Sequence, residues 1–366
     1  MTRILCIISG LTAGGAETFL MKIYRALPNK EYKIDFIVSE KDGCYTEEVL
    51  QRGGHIYVIP LRTKKLFVAL CKIRDIVKKN KYESVLKLGN TPIAVLDLIA
   101  ARLGGAKIVG MRSCNALTGQ PFKSKCVDAL LRPVLNLIAN VKIAPSILSA
   151  EFTFGKKIAH KKNVHILHNG VDLEVFHYDE AGRSRIRKEF ELEDKFVVGH
   201  IGRLNKQKNH HFLLEVFNKL HSICENAILI LIGTGEEKDN INAWIKELGL
   251  GDKVILTGQR FDIPQILSAM DVMIFPSLHE GMPNTIIEAQ AIGLPCLISD
   301  TITDEADITG LVKYKSLDAS SSEWAEMALQ MAKFPRRDTA EDFRKHGYDI
   351  ESVSKEFVSL LVRSKN

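Results

Sequence analysis

No D-x-D triplet occurs in the 366 residues, so the chain lacks the common acidic pair that holds a divalent cation against phosphate oxygens. Its histidines show neither HExxH nor zinc spacing, and no CxxC pair is present, so a metal site is not expected. G-x-G-x-x-G and the Walker lysine are both missing, which argues against the common dinucleotide and P-loop phosphate cradles. No apolar run approaches the ~18 residues of a membrane span. The opening run MTRILCIISG is too brief for a signal peptide and leads straight into glycine-rich turn chemistry, so it reads as a first buried strand. Seven cysteines, odd in number and scattered, suit reduced thiols in a cytoplasm better than disulfides.

What is present suits two α/β domains, each long enough to bury its own core. The net charge of +6 hides an asymmetry. Residues 1–177 carry 27 Lys and Arg against 14 Asp and Glu, whereas residues 178–366 carry 23 against 30. A basic half points to anionic partners: nucleic acid, a membrane face or phosphorylated substrates, with scattered solvated lysines as the plain alternative.

Buried strands alternate with amphipathic helices along the chain. RILCIIS is followed by Gly10 to Glu17, with Gly14 and Gly15, and then a helix ended by Pro28. KIDFIVSE, HIYVIP, SVLKLG, KIVGMRS and VKIAPS continue the pattern of a doubly wound domain. Within it, residues 61–81 set Arg62, Lys64, Lys65, Lys72, Arg74, Lys78, Lys79 and Lys81 around a stripe of Leu66, Leu70, Ile73 and Val77. That segment reads as a surface helix with a basic face, or as a patch for anionic lipid head groups. The apolar segment at 115–142 reads by default as a core helix and alternatively as a lipid-facing acceptor groove. A polar linker at 173–194 precedes a second cycle that opens with FVVGHIGRLNKQKN, and the tail from about Ser320 reads as helical.

In open parallel sheets ligands bind beyond the C-terminal strand ends. In the second half those ends carry Gly202, Arg203, Lys206, Lys208 and Asn209, then Gly233 to Glu236, then Gly258, Gln259 and Arg260. The last is FPSLHEGMPNTIIEAQAIGLPCLISD, residues 275–300, in which a strand, a tight loop and a helix N-terminus carry Glu280 and, eight residues on, Glu288. Free backbone N–H groups and the helix dipole make such a loop an anion site. Cations, glycines and two carboxylates together suit a diphosphate with a sugar at each end.

These residues carry a resemblance. G-G-A-E at 14–17, HNGVD at 168–172, GRLNKQKN at 202–209, IGTG at 232–235, LTG at 256–258 and above all E-x7-E at Glu280 and Glu288 resemble retaining glycosyltransferases of the GT-B fold, glycosyltransferase family 4, of the kind that build bacterial capsule, exopolysaccharide or lipopolysaccharide. The resemblance implies two Rossmann-like domains facing across a cleft: an acceptor-side domain at 1–175, a nucleotide-sugar domain at 176–345, and a C-terminal helix at 346–366 that packs on its own domain or crosses back to the first. It implies that Arg203 and Lys208 bind the donor diphosphate and steady the leaving group, that Glu280 holds sugar hydroxyls and that Glu288 holds the ribose. Backbone at Met282, Pro283, Asn284 and Thr285 would face sugar and phosphate, Gln259 and Arg260 would read the base, and Gly14 and Gly15 would let the first loop approach the diphosphate. No metal, no cofactor and no nucleic acid are implied. The expected partners are a nucleotide-diphosphate sugar, a polyprenyl-diphosphate-linked glycan acceptor and an anionic membrane surface, at the cytoplasmic face of the cell membrane.

One departure stands out. Many relatives carry a histidine in the loop after the strand equivalent to KIVGM; here that loop reads Met111-Arg112-Ser113-Cys114-Asn115, so Arg112 or Asn115 is expected to take the sugar or acceptor contact. Two other classes stay open at this level. A nicotinamide-dependent oxidoreductase or epimerase would carry G-x-G-x-x-G with an acidic ribose ligand about 20 residues on. A non-catalytic sugar-nucleotide-binding protein would not need Arg203, Lys208, Glu280 and Glu288 together.

Overall fold

The computed structural model describes residues 1–12, 14–40, 42–114, 122–161, 163–280 and 282–362, with backbone alone over 122–126. The chain divides into two compact units, Met1–Gly170 with Gly347–Asn366, and Val171–His346.

In the first unit β1 (Thr2–Ile7), α1 (Gly15–Ala26), β2 (Tyr32–Val38), α2 (Thr46–Gln51), β3 (Ile56–Val58), α3 (Arg62–Asn80) and β4 (Ser84–Gly89) alternate. They continue as α4 (Val95–Leu103), β5 (Ile108–Ser113), α5 (Phe122–Ile138), β6 (Val141–Ala144), α6 (Ile147–Phe154), α7 (Lys156–Ala159) and β7 (His165–Ile166). The seven strands pair in parallel in the order β3-β2-β1-β4-β5-β6-β7. Apolar side chains, Ile4, Leu5, Cys6 and Ile7 in β1, Ile34, Phe36, Ile37 and Val38 in β2, and Val85, Leu86 and Leu88 in β4, are buried on both faces, as a parallel sheet covered on both sides requires.

The second unit runs α8 (Glu180–Glu189), β8 (Phe196–Ile201), α9 (His210–Ile223), β9 (Ala227–Ile232), α10 (Lys238–Glu247), β10 (Val254–Gly258) and α11 (Ile263–Ala269). It is completed by β11 (Val272–Phe275), α12 (Asn284–Ala291), β12 (Cys296–Ser299), β13 (Val312–Lys315), α13 (Ser321–Met331) and α14 (Ala340–Lys345). Its parallel order is β10-β9-β8-β11-β12-β13. Strand order therefore reverses between β8 and β11, the switch point at which open sheets of this kind bind ligands. Two Rossmann-like α/β units of this kind are the GT-B architecture.

The tail is not one helix. Pro335 and Gly347, the latter at φ +69, separate α13, α14 and a last helix, α15 (Ile350–Leu361). Ile350, Val353, Phe357 and Leu361 form the buried face of α15, which packs on α1 and β4 of the first unit.

One segment follows its default sequence reading except at Arg62, and a second departs from it. In α3 the buried residues are Ala69, Ile73 and Val77, while Phe67 stands 82% exposed, and Arg62 turns in to the buried Asp97 at 2.8 Å instead of joining the basic face. In α5 only part of the helix is core. Leu135 is buried, whereas Val127, Leu130, Val134 and Leu137 are exposed at 45, 75, 39 and 81%, a spacing that puts them on one outer face. Apolar periodicity marks a face of a helix, and it does not say which face the sheet covers.

Candidate functional site: the loops after β8 and β11

Lys208 leaves β8 on a short 3-10 turn, Lys206–Lys208, capped by the Asn205 side chain, and Asn209 at φ +55 then turns the chain into α9. Glu280 lies on the loop after β11 and forms an isolated parallel bridge with Ile302. The loops meet across the switch point: Leu278 N–H donates to the Gln207 carbonyl at 2.8 Å, and Gln207 Nε2 donates to the His279 carbonyl at 2.8 Å. Lys208 Nζ then lies 2.5 Å from Glu280 Oε1, with the two side chains only 14% and 12% exposed. Both charges are mostly withdrawn from water, so each is held chiefly by the other.

The base of the Glu280 loop is fixed from β12. Ser299 Oγ donates to the Ser277 carbonyl at 2.5 Å, and Thr301 Oγ1 donates to the same oxygen at 2.9 Å. Pro283 caps the start of α12 with extended backbone and no side-chain cap, so the first amides of the helix, at Asn284 and Thr285, stay directed at the loop. Glu288 is half-buried one turn further along α12. Met282, Asn284 and Thr285 are half-buried and Pro283 is buried.

Arg203, expected beside Lys208, is exposed, and no ion pair to it is found among the described residues. The neighbouring strand ends are tied by backbone bonds, Gly202 N–H to the Ile232 carbonyl, Leu204 N–H to the Thr234 carbonyl and Gly233 N–H to the Gly258 carbonyl. The approach is so close that a Cβ at Gly233 would stand 1.9 Å from the Gly202 carbonyl oxygen, and one at Gly235 would stand 2.2 Å from that of Leu204. Hence the IGTG sequence is glycine at those two places. Beyond β10, the Arg260 side chain is engaged on both sides, with Asp262 at 2.7 Å and Glu189 at 2.7 Å, which raises its pKa. The Arg260 guanidinium is thus occupied within the protein, whereas the neighbouring Gln259 is exposed.

In the first unit Gly14 caps α1 and Gly15 opens it, with no atom within 4 Å of a Cβ built at Gly15. Arg112, expected at a sugar or acceptor contact, is engaged within the first unit. It is 1% exposed, its guanidinium lies 3.6 Å from the Phe19 ring centroid, and its Nη2 donates to Asn169 Oδ1 at 2.6 Å. Burial pushes its pKa down to about 10. These contacts tie it to Asn169 of the HNGVD segment and to Phe19 of α1. Asn115 lies outside the described residues. Among the described residues no three His, Cys, Asp or Glu side chains converge as metal ligands.

Reading strand ends for charge found Lys208 and Glu280 but missed what stands behind them. Phe275 closes β11 under the Lys208 ammonium at 4.3 Å, and His200 of β8 stacks on the same ring at 5.1 Å. The available signal was a histidine within the apolar strand FVVGHI.

The second unit thus sets a buried cation–carboxylate pair at its switch point beside the start of a helix. Residues 13–175 match the Glycosyltransferase Family 4 domain and residues 182–346 match the domain of Glycosyl transferases group 1. EpsF of Bacillus subtilis (strain 168), assigned to the glycosyltransferases, is 31% identical over 358 residues, 95% of this chain and 93% of EpsF. The UDP-Gal:alpha-D-GlcNAc-diphosphoundecaprenol alpha-1,3-galactosyltransferase of Escherichia coli is 27% identical over 78% of this chain and 76% of its own length. Anabaena HepE, solved in complex with UDP and glucose, superposes with a TM-score of 0.78 at 20% identity over the whole of both chains. The chain belongs to the GT-B glycosyltransferases of family 4 type.

Proposed function

We propose that this glycosyltransferase moves a hexose or N-acetylhexosamine, with retention, from a nucleotide-sugar to a polyprenyl-diphosphate-linked glycan in the assembly of a bacterial surface polysaccharide. The observation that carries the reading is the Lys208–Glu280 pair at the switch point beside the N-terminus of α12. A donor offers both partners a substitute: the diphosphate takes the ammonium and the sugar hydroxyls take the carboxylate. Lys208 and Arg203 then stabilise the charge developing on the leaving phosphate. Amides at the start of α12 add to this, Glu288 holds the ribose, and backbone at Gln259 and Arg260 reads the base. The acceptor hydroxyl attacks the anomeric carbon on the face the phosphate leaves, the C–O bond to phosphate breaks, and the departing phosphate oxygen takes the acceptor's proton. No protein nucleophile and no metal are needed, because cations and helix dipole neutralise the diphosphate. The lipid-linked acceptor and UDP-sugar in the E. coli relative's name support the acceptor class and favour a uridine donor.

The membrane part of the proposal rests on the first unit. It holds 30 Lys and Arg against 15 Asp and Glu, and α5, with its exposed apolar face, lies in one helical layer with α3, α4 standing between them. The attachment proposed is peripheral, at the inner surface; among the described residues no helix is long and apolar enough to cross a membrane.

A screen of UDP-, GDP- and ADP-sugars by thermal shift and hydrolysis tests the reading. One nucleotide-sugar should stabilise the chain, and Glu288→Ala should abolish that shift. No shift with any of them, together with an unaltered Glu288→Ala variant, would end the proposal. Proton NMR of the product should show the donor's anomeric configuration, and excess EDTA should leave the rate unchanged.

A further inference from the structure

Lys208 has a long, flexible stem, so its place in the site has to be imposed by what surrounds it. On one side is Glu280. On another is the Phe275 ring, 4.3 Å from Nζ, close enough for the ammonium to interact with the π face. The stem runs past Gly202, where a Cβ would stand 3.0 Å from Lys208 Cε and 3.4 Å from His200 Nε2. Gly202 is thus hemmed by the lysine stem and the imidazole together.

His200 is fully buried in β8. Its Nδ1 lies 3.0 Å from the Ile274 carbonyl, which fixes the proton on Nδ1 and leaves Nε2 an acceptor with no hydrogen-bond partner among the described residues. Its ring stacks on Phe275 at 5.1 Å and 22°, and the edge of His210 meets it at 5.0 Å and 73°. An apolar residue would fill a central strand position without leaving a buried nitrogen unsatisfied, so a packing role alone does not account for a histidine here.

We propose that His200 is a positioning residue for Lys208: acting through Phe275, the neutral imidazole sets where the ammonium stands and so how firmly Lys208 grips the donor diphosphate. The inference rests on the donor role of Lys208 proposed above. Lys208 must change partners as donor binds and leaves, and Phe275 offers it a face that stays in place when Glu280 turns to the sugar. The imidazole suits the backing position because it is polar, flat and uncharged. An imidazolium at the same place would add a second cation beside the lysine. Burial and the nearby His210 and Lys208 all oppose that charge.

The test is a double-mutant cycle, read by calorimetric titration with whichever of UDP, GDP and ADP the wild-type chain binds. Lys208→Ala should weaken nucleoside diphosphate binding. His200→Leu, which keeps the volume and removes the flat polar ring, should weaken it about fivefold in the wild-type background and leave it unchanged in the Lys208→Ala background. If His200→Leu does not fold, Phe275→Leu carries the same cycle. Lys208→Ala binding as tightly as wild type would refute the donor role itself. A loss on Lys208→Ala, with equal effects of His200→Leu in both backgrounds, would leave the donor role standing and make His200 a plain core residue.

Discussion

His210, the first residue of α9, is 2% exposed and its pKa is pushed down to about 4 by burial and by Lys208. The sign of the consequence follows from linkage. The unfolded chain binds a proton at this histidine near pH 6.5, while the folded chain resists it until about pH 4, so stability is complete above pH 6.5 and falls as pH drops between those values. The full loss is on the order of 3 kcal/mol for this residue. Urea unfolding midpoints at pH 7.0, 5.5 and 4.5 should fall in step, and His210→Leu should flatten the decline; a parallel decline in the variant would assign it elsewhere. At this scale the sequence was legible where chemistry is unusual for its position. Carboxylates and lysines at strand ends have few structural reasons to be there, and Lys208 and Glu280 do meet. The surroundings of Arg112 were not legible, because it was singled out only as standing where relatives carry a histidine, whereas a cation can be buried when a ring and an amide receive it, as Phe19 and Asn169 do. Nothing in the one-dimensional string shows that HNGVD returns to the end of β5.

Helices were legible in existence and less so in orientation. The alternation of buried strands and amphipathic helices fixed the α/β class, since apolar runs separated by glycine turns have few other solutions. Which side of α5 the sheet would take was undetermined, because its sequence is apolar on two sides. The outer face that results, Val127, Leu130, Val134 and Leu137, is the place where a membrane reading can fail cleanly. Leu130→Asp with Leu137→Asp should reduce co-sedimentation with anionic phosphatidylglycerol vesicles at least tenfold, since each charge would have to leave water or lift the helix from the bilayer. Charge removal at Lys64, Lys65, Lys78 and Lys79 on α3 should instead reduce binding in a salt-dependent way. Both variants change exposed positions, so melting temperature should hold within a degree or two. Vesicle binding unchanged in both would leave these helices as ordinary surface.

At the scale of the whole molecule, the first unit is closed by the last helix of the chain. Segments Met1–Gly170 and Gly347–Asn366 form one core although 176 residues of the second unit intervene. Phe357 is fully buried and meets Phe19 edge-to-face at 6.2 Å, and Ile350, Val353 and Leu361 extend the same face under β4 and α1. Removing that ring leaves a cavity in a core that cannot collapse onto it, so Phe357→Ala should cost about 3–5 kcal/mol. The loss should fall on the first unit, and the chain provides its own reporters: both tryptophans, Trp244 and Trp324, lie in the second unit. Far-UV circular dichroism follows both units, whereas tryptophan fluorescence follows the second. In wild type and in Phe357→Ala the fluorescence midpoint in urea should agree, while the dichroism curve of the variant should split and begin at lower urea. Coincident shifts of both signals would mean that the two units unfold as one cooperative body, with α15 stabilising the whole chain rather than the domain whose sheet it covers.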